Sequence, residues 1–130
     1  MELVDFLRAR LDEDADTASA ASPGPWHVNA ESDEVLAVDD IAVADGFALS
    51  GQQLRATTAH IARHNPARIL AEVDAKRQMV DDYARNAAAA EAEQCPNEWN
   101  GGIDKLGYFV LPLLALPYAD HPDYRDEWRP

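Results

Sequence analysis

The chain has one cysteine, Cys95, so no intrachain disulfide can form. A lone thiol suits a reducing compartment, and a cytoplasmic location is the expectation. Cationic residues are scarce: 11 Lys and Arg stand against 24 Asp and Glu, a formal net charge of -13. The deficit is uneven. Residues 1–50 hold twelve acids against Arg8 and Arg10, a net of -10, and residues 51–130 carry -3. Such a field repels phosphate backbones and anionic lipid. It argues against direct nucleic-acid and membrane binding and leaves a basic protein partner open. Long apolar runs are also missing. The most apolar stretch, GYFVLPLLALPY at 107–118, is too short for a bilayer and contains Pro112 and Pro117. The opening MELVDFLRAR has an acid at position 2 and does not read as a signal peptide.

Catalytic signatures are missing too. GG at 101–102 is isolated and makes no phosphate loop, and there is no G-x-S-x-G elbow. Cys95 precedes a proline at the end of a predicted helix, a poor place for a nucleophile. Asp39-Asp40 and Asp81-Asp82 are adjacent, so on a regular element they point apart and do not form an acid–base pair. No catalytic residue and no cofactor site is expected.

What is present reads as one α+β domain over residues 1–130, a length that supports a single modest core. Residues 1–21 are predicted helical, with Val4, Leu7, Leu11, Ala15 and Ala18 on one face, widened by Leu3 and Phe6. SPGP stops that helix. Residues 22–46 read as a three-stranded antiparallel meander built from WHVN, EVLAV and IAVAD, with short turn-prone gaps. Residues 52–94 read as two helices. Asn65-Pro66 is the joint between them, because Asn caps helices and Pro suits a first helical position. The long second helix should bury Ile69, Leu70, Val73, Val80, Tyr83 and Ala87, with Glu72–Lys76 and Asp81–Arg85 as flanking ion pairs. Residues 95–130 read as a turn, a helical segment that Pro112 kinks or breaks unless it sits in a first turn, and a tail. Asp120 should cap a short turn near His121, and Trp128 should dock beside the long helix. The N-terminal and long helices are expected to cover the meander. Trp26, Trp99 and Trp128 are expected as core anchors.

His60 and His64 share a helical face, and His121 offers a third imidazole. A zinc helix of the H-E-x-x-H kind needs Glu after the first His, and here that position is Ile61. The helix-end reading explains more: His64 lies in the last turn, where its ring suits the helix dipole. The partner-binding candidates are therefore elsewhere: the acidic run Asp12, Glu13, Asp14 and Asp16, and the tail aromatics Tyr124 and Trp128.

ASPGPWHV (21–28), followed by IAVAD and by AHIARHNPARIL (59–70), resembles a pattern in small phage and prophage proteins. FLRARLDEDADTA (6–18) and LALPYADHPDYRDEWRP (114–130) resemble an uncharacterised family of small actinobacterial and actinophage proteins, a domain of unknown function. The resemblance covers most of the chain and diverges around 84–110. Relatives can carry more cysteine or histidine there, where this chain has only Cys95, so no metal site is carried over. It brings no catalytic residues and implies an accessory role in a phage or its host. The expected function is non-enzymatic protein–protein interaction with a host or phage protein. The alternatives are a metal-dependent enzyme using His60 and His64, and a DNA mimic that inhibits a nucleic-acid-binding protein.

Overall fold

A computed structural model describes residues 2–93 and 105–130. The predicted turn at Cys95-Pro96 and Trp99 lie outside them. The fold is α+β. Its elements run α1 (Leu3–Ala20), β1 (His27–Val28), β2 (Glu34–Leu36), β3 (Ala42–Asp45), α2 (Gly51–Arg63), α3 (Pro66–Glu93) and α4 (Leu111–Ala115). Two compact units divide it: Asp14–Val73, and the residues up to Glu13 with those from Asp74 onward.

In the Asp14–Val73 unit the strands form an antiparallel meander in the order β1-β2-β3. Asn29 organises the first turn, since its Oδ1 accepts the N–H groups of Asp33 and Glu34, both at 3.0 Å. The second turn is a single 3-10 turn, Val38–Asp40. Asp39 and Asp40 take left-handed φ of 64° and 58° there, which short polar side chains tolerate best after glycine. Val35, fully buried, points to one face of the sheet, and Glu34 and Leu36 to the other. The helix packed on β1 and β2 is α2, an element the sequence reading had not assigned to the sheet. Thr58 and Ala62 are the buried residues of α2. Thr58 is 1% exposed, and its hydroxyl lies 2.9 Å from the Ser32 carbonyl. The α2–α3 joint falls at Asn65-Pro66 as expected. Asn65 Oδ1 accepts the N–H of Ala67 at 2.9 Å, and its amide donates to the Ala62 carbonyl at 3.2 Å. Gly24 of the SPGP segment lies against this joint, where any side chain would run into Asn65 and Ala67.

In the other unit the start of α1 runs antiparallel to the later part of α3. Two ion pairs show the register: Arg8–Asp81 at 2.9 Å and Arg77–Asp12 at 2.7 Å, four residues apart on each helix. This corrects the predicted flanking pairs. Asp81 reaches α1, Arg85 pairs with Asp82, and Glu72 pairs with Arg68 at 3.0 Å. The arginine fork outcompetes a spacing argument wherever another carboxylate is closer. Of the six residues predicted to be buried on α3, Val73 and Val80 are buried, and Ile69, Leu70, Tyr83 and Ala87 are half-buried. The segment around Pro112 stays helical. A π-turn at Leu106–Val110 leads into α4, and Pro112 sits in the first turn of α4, where its missing N–H costs little. Gly107 meets the Tyr83 ring so closely that a Cβ there would lie 2.9 Å from Cε2.

The tail docks. Phe6 is fully buried, and the rings of Tyr118, Tyr124 and Trp128 pack around it at 6.4, 5.9 and 5.0 Å. Trp128 is 9% exposed, and its ring partners are Phe6 on α1 and Tyr124 of the tail. A single turn begins at His121, as predicted, where the His121 carbonyl accepts the Tyr124 N–H at 3.0 Å, and a further 3-10 turn spans Asp126–Trp128 with Arg125 in the N-cap position. His121, not Asp120, provides the local cap: its Nδ1 accepts the Asp123 N–H at 3.0 Å.

Candidate functional site

The residues singled out from the sequence separate into two groups. Those in the unit with the docked tail are already engaged by their own chain. Asp12 is paired with Arg77, and Glu13 with Arg10 at 2.9 Å. Tyr124 is half-buried and Trp128 buried against Phe6. The imidazole of His121 packs edge-on against Phe6 and meets the Arg10 guanidinium through both ring nitrogens, Nδ1 at 2.7 Å. A guanidinium at that distance is a poor neighbour for a metal cation.

Arg10 was missed in the sequence. It is 7% exposed, its guanidinium lies 5.1 Å from the Phe6 centroid, and its Nε has no hydrogen-bond partner among the described residues. The signal was its place on the apolar stripe of α1 between Leu7 and Leu11, where a charged residue needs partners.

In the Asp14–Val73 unit, His60 and His64 stack at 4.3 Å, and His64 Nδ1–H donates to the His60 carbonyl at 2.8 Å. This is the helix-end role argued from the sequence. Among the described residues, no three His, Cys, Asp or Glu come together as a metal site. Asp14 is half-buried and, with Ala18, Trp26, His64, Pro66 and Ile69, lines a mostly apolar groove of about 240 Å³. Trp26 is held there by an Nε1–H bond to the Ser22 carbonyl at 2.9 Å. Asp16 is exposed.

The acids of the meander form a different arrangement. A groove of about 290 Å³ is lined by Asp33, Glu34 and Asp45 together with Phe47, Leu49 and Leu54. Glu34 and Asp45 are register partners across β2 and β3. Like charges directly opposite each other destabilise a sheet. Asp33 Oδ1 accepts from the Asn29 amide at 2.7 Å, and Asp45 Oδ1 from the Phe47 N–H at 2.9 Å. No cationic side chain among the described residues is within ion-pairing distance of the three carboxylates. Phe47 is 96% exposed. The sequence signal lies in the spacing of bases: from residue 11 to residue 54 there are ten acids and no Lys or Arg. Chemically, such a groove attracts a cation.

No described helix is long and apolar enough to cross a membrane. No curated protein and no solved structure matches the chain. The model of one family of unknown function, DUF6221, matches residues 1–130, and the chain belongs to that family.

Proposed function

We propose that this chain is a non-enzymatic protein that acts by binding a basic face of another protein. The observation that supports this reading is the set of unpaired carboxylates on the meander, Asp33, Glu34 and Asp45, beside a fully exposed Phe47. Some acids elsewhere are paired with arginines of the same chain, as at Arg8–Asp81 and Arg77–Asp12, and the net charge of -13 leaves a negative field to which this groove contributes. Opposite charge on a partner speeds encounter and fixes orientation, with a steep dependence on salt. If the resemblance to actinobacterial and phage proteins holds for origin, the partner is a host or phage protein met in the host cytoplasm. A DNA-mimic inhibitor is one form of the same reading, in which the partner's basic face normally holds nucleic acid.

The test is a pull-down from an actinobacterial lysate at low and moderate salt, with wild type beside a Glu34→Lys/Asp45→Lys variant. A partner retained at low salt by wild type and released by the variant is the expected result. Displacement of that partner by duplex DNA would identify the mimic form. Capture of the same partner by both proteins, or of none at any salt, would sink the reading.

A further inference from the structure

We propose that the outward face of the 106–118 segment pairs with the same face of a second copy of this chain, the Phe109 ring of each copy seated in a groove of the other. This pairing uses a different surface from the meander carboxylates and a different force, so neither reading depends on the other.

The segment is apolar on both sides. The π-turn at Leu106–Val110, α4 and a 3-10 turn at Leu116–Tyr118 follow one another without a break. From Leu106 to Ala119 there is no Asp, Glu, Lys or Arg. The inward side buries Leu111, Pro112 and Ala115. Phe109, Leu113 and Leu116 recur at spacings of four and three, which puts them on one outward stripe, and all three are exposed. A helical segment that is apolar all round is normally covered all round. An anionic bilayer is a poor cover for it, since the chain carries a net charge of -13. A basic protein face is a poor cover too, since the stripe offers it no carboxylate.

The surface carries both halves of a self-complementary contact. Beside the stripe lies a groove of about 320 Å³, walled by Leu3, Gly107, Tyr108, Pro112 and Trp128, all in the unit with the docked tail. Tyr108 belongs to its wall and lies 6.3 Å, ring to ring, from Phe109. A knob next to its own hole suits a two-fold axis, because the contact made by one copy is made again by the other. The area agrees. Tyr108 is 78% and Phe109 63% exposed, so at 150–250 Å² per aromatic side chain the two rings offer roughly 200–350 Å². Leu113, Leu116 and the groove wall bring the patch to on the order of 500 Å² per copy, and a pair removes roughly 1,000 Å² from water, the lower end of specific interfaces. That is the size of a concentration-dependent dimer. Two chains of -13 repel each other, and a stripe without charged side chains adds least to that repulsion. The two charged residues that line the groove, Glu127 and Arg129, are of opposite sign.

Sedimentation equilibrium of the untagged full chain from about 5 to 500 µM, at low and high salt, reads the association. The mass should rise from one chain toward two with concentration, and salt should favour the dimer by screening the like charge. Phe109→Ala should weaken pairing by about tenfold. Phe109→Asp and Leu113→Glu should each hold the mass of one chain throughout and keep the wild-type circular dichroism, since both side chains are exposed. In a mixture of isotope-labelled and unlabelled wild type, nuclear Overhauser contacts between chains should join the Phe109 ring to Leu3, Pro112 or Trp128. The mass of one chain at the highest concentration, a dimer that survives both charge substitutions, or one that dissolves as salt rises would overturn the proposal, as would contacts between chains at any other face. A monomer that instead binds neutral phosphatidylcholine vesicles, and loses them with Phe109→Asp, would overturn it and give the face to lipid.

Discussion

Replacing Trp128 with Ala measures how firmly the tail is held. The indole is 9% exposed and lies 5.0 Å from Phe6, which has no exposure at all. A buried Trp removes on the order of 200 Å² from water, and at about 25 cal/mol per Å² that is about 5 kcal/mol. A compact unfolded chain lowers the figure, and core Trp→Ala substitutions cost about 3–5 kcal/mol. The expected loss is therefore about 3–5 kcal/mol, or on the order of 10–20 °C in melting temperature. Equilibrium urea unfolding followed by far-ultraviolet circular dichroism reads it without relying on the deleted fluorophore. A double-mutant cycle with Phe6→Leu, which keeps apolar volume but removes the ring, should show a coupling of about 0.5–1.5 kcal/mol. An unchanged midpoint for Trp128→Ala would refute the docked tail. Strict additivity in the cycle would refute the ring contact.

Asn65→Ala removes the cap of α3 and should cost about 1 kcal/mol in urea unfolding, whereas Asn65→Asp, which keeps the accepting oxygen, should cost less. Thr58→Val keeps the shape but leaves the Ser32 carbonyl without its hydroxyl donor, for a loss of about 1–3 kcal/mol; a neutral result would mean that the hydroxyl bonds only within α2. Glu34→Gln should raise stability by about 0.2–1 kcal/mol, and less in high salt, because it relieves the repulsion with Asp45; destabilisation would show that the pair is compensated. Zinc added to untagged protein should leave the melting curve in place, since among the described residues no third His, Cys, Asp or Glu joins His60 and His64, and a stoichiometric upward shift would revive the histidine-pair site.

Features set by a few adjacent residues were legible before the structure. The Asn65-Pro66 joint works because a cap and a first-turn proline act within three residues of each other. The meander followed from turn residues and alternation. Features set by distant partners were not. The burial of Arg10 depends on His121, far along the chain, and no spacing rule pairs those two. The candidate acids Asp12–Asp16 were chosen for density, which does not reveal that Arg77 already holds Asp12. The carboxylate groove depends on which residue of β3 faces Glu34. A bulge fixes that register: Val35 pairs with Ala44 but Leu36 with Ala42, so Val43 is an extra residue. A pattern of alternating residues does not say where such an insertion falls.

The π-turn at Leu106–Val110 has a consequence for how members of this family are aligned. A π-turn is an α-helical turn holding one residue more than it needs. A relative shorter by one residue here can close an ordinary α-turn and still present the equivalents of Leu111 and Ala115 to the interior. The same deletion inside α4 would swing everything after it by about 100° around the helix axis. Length variation should therefore gather between 106 and 110, and a gap belongs there even where letter-by-letter similarity would put it a few positions later.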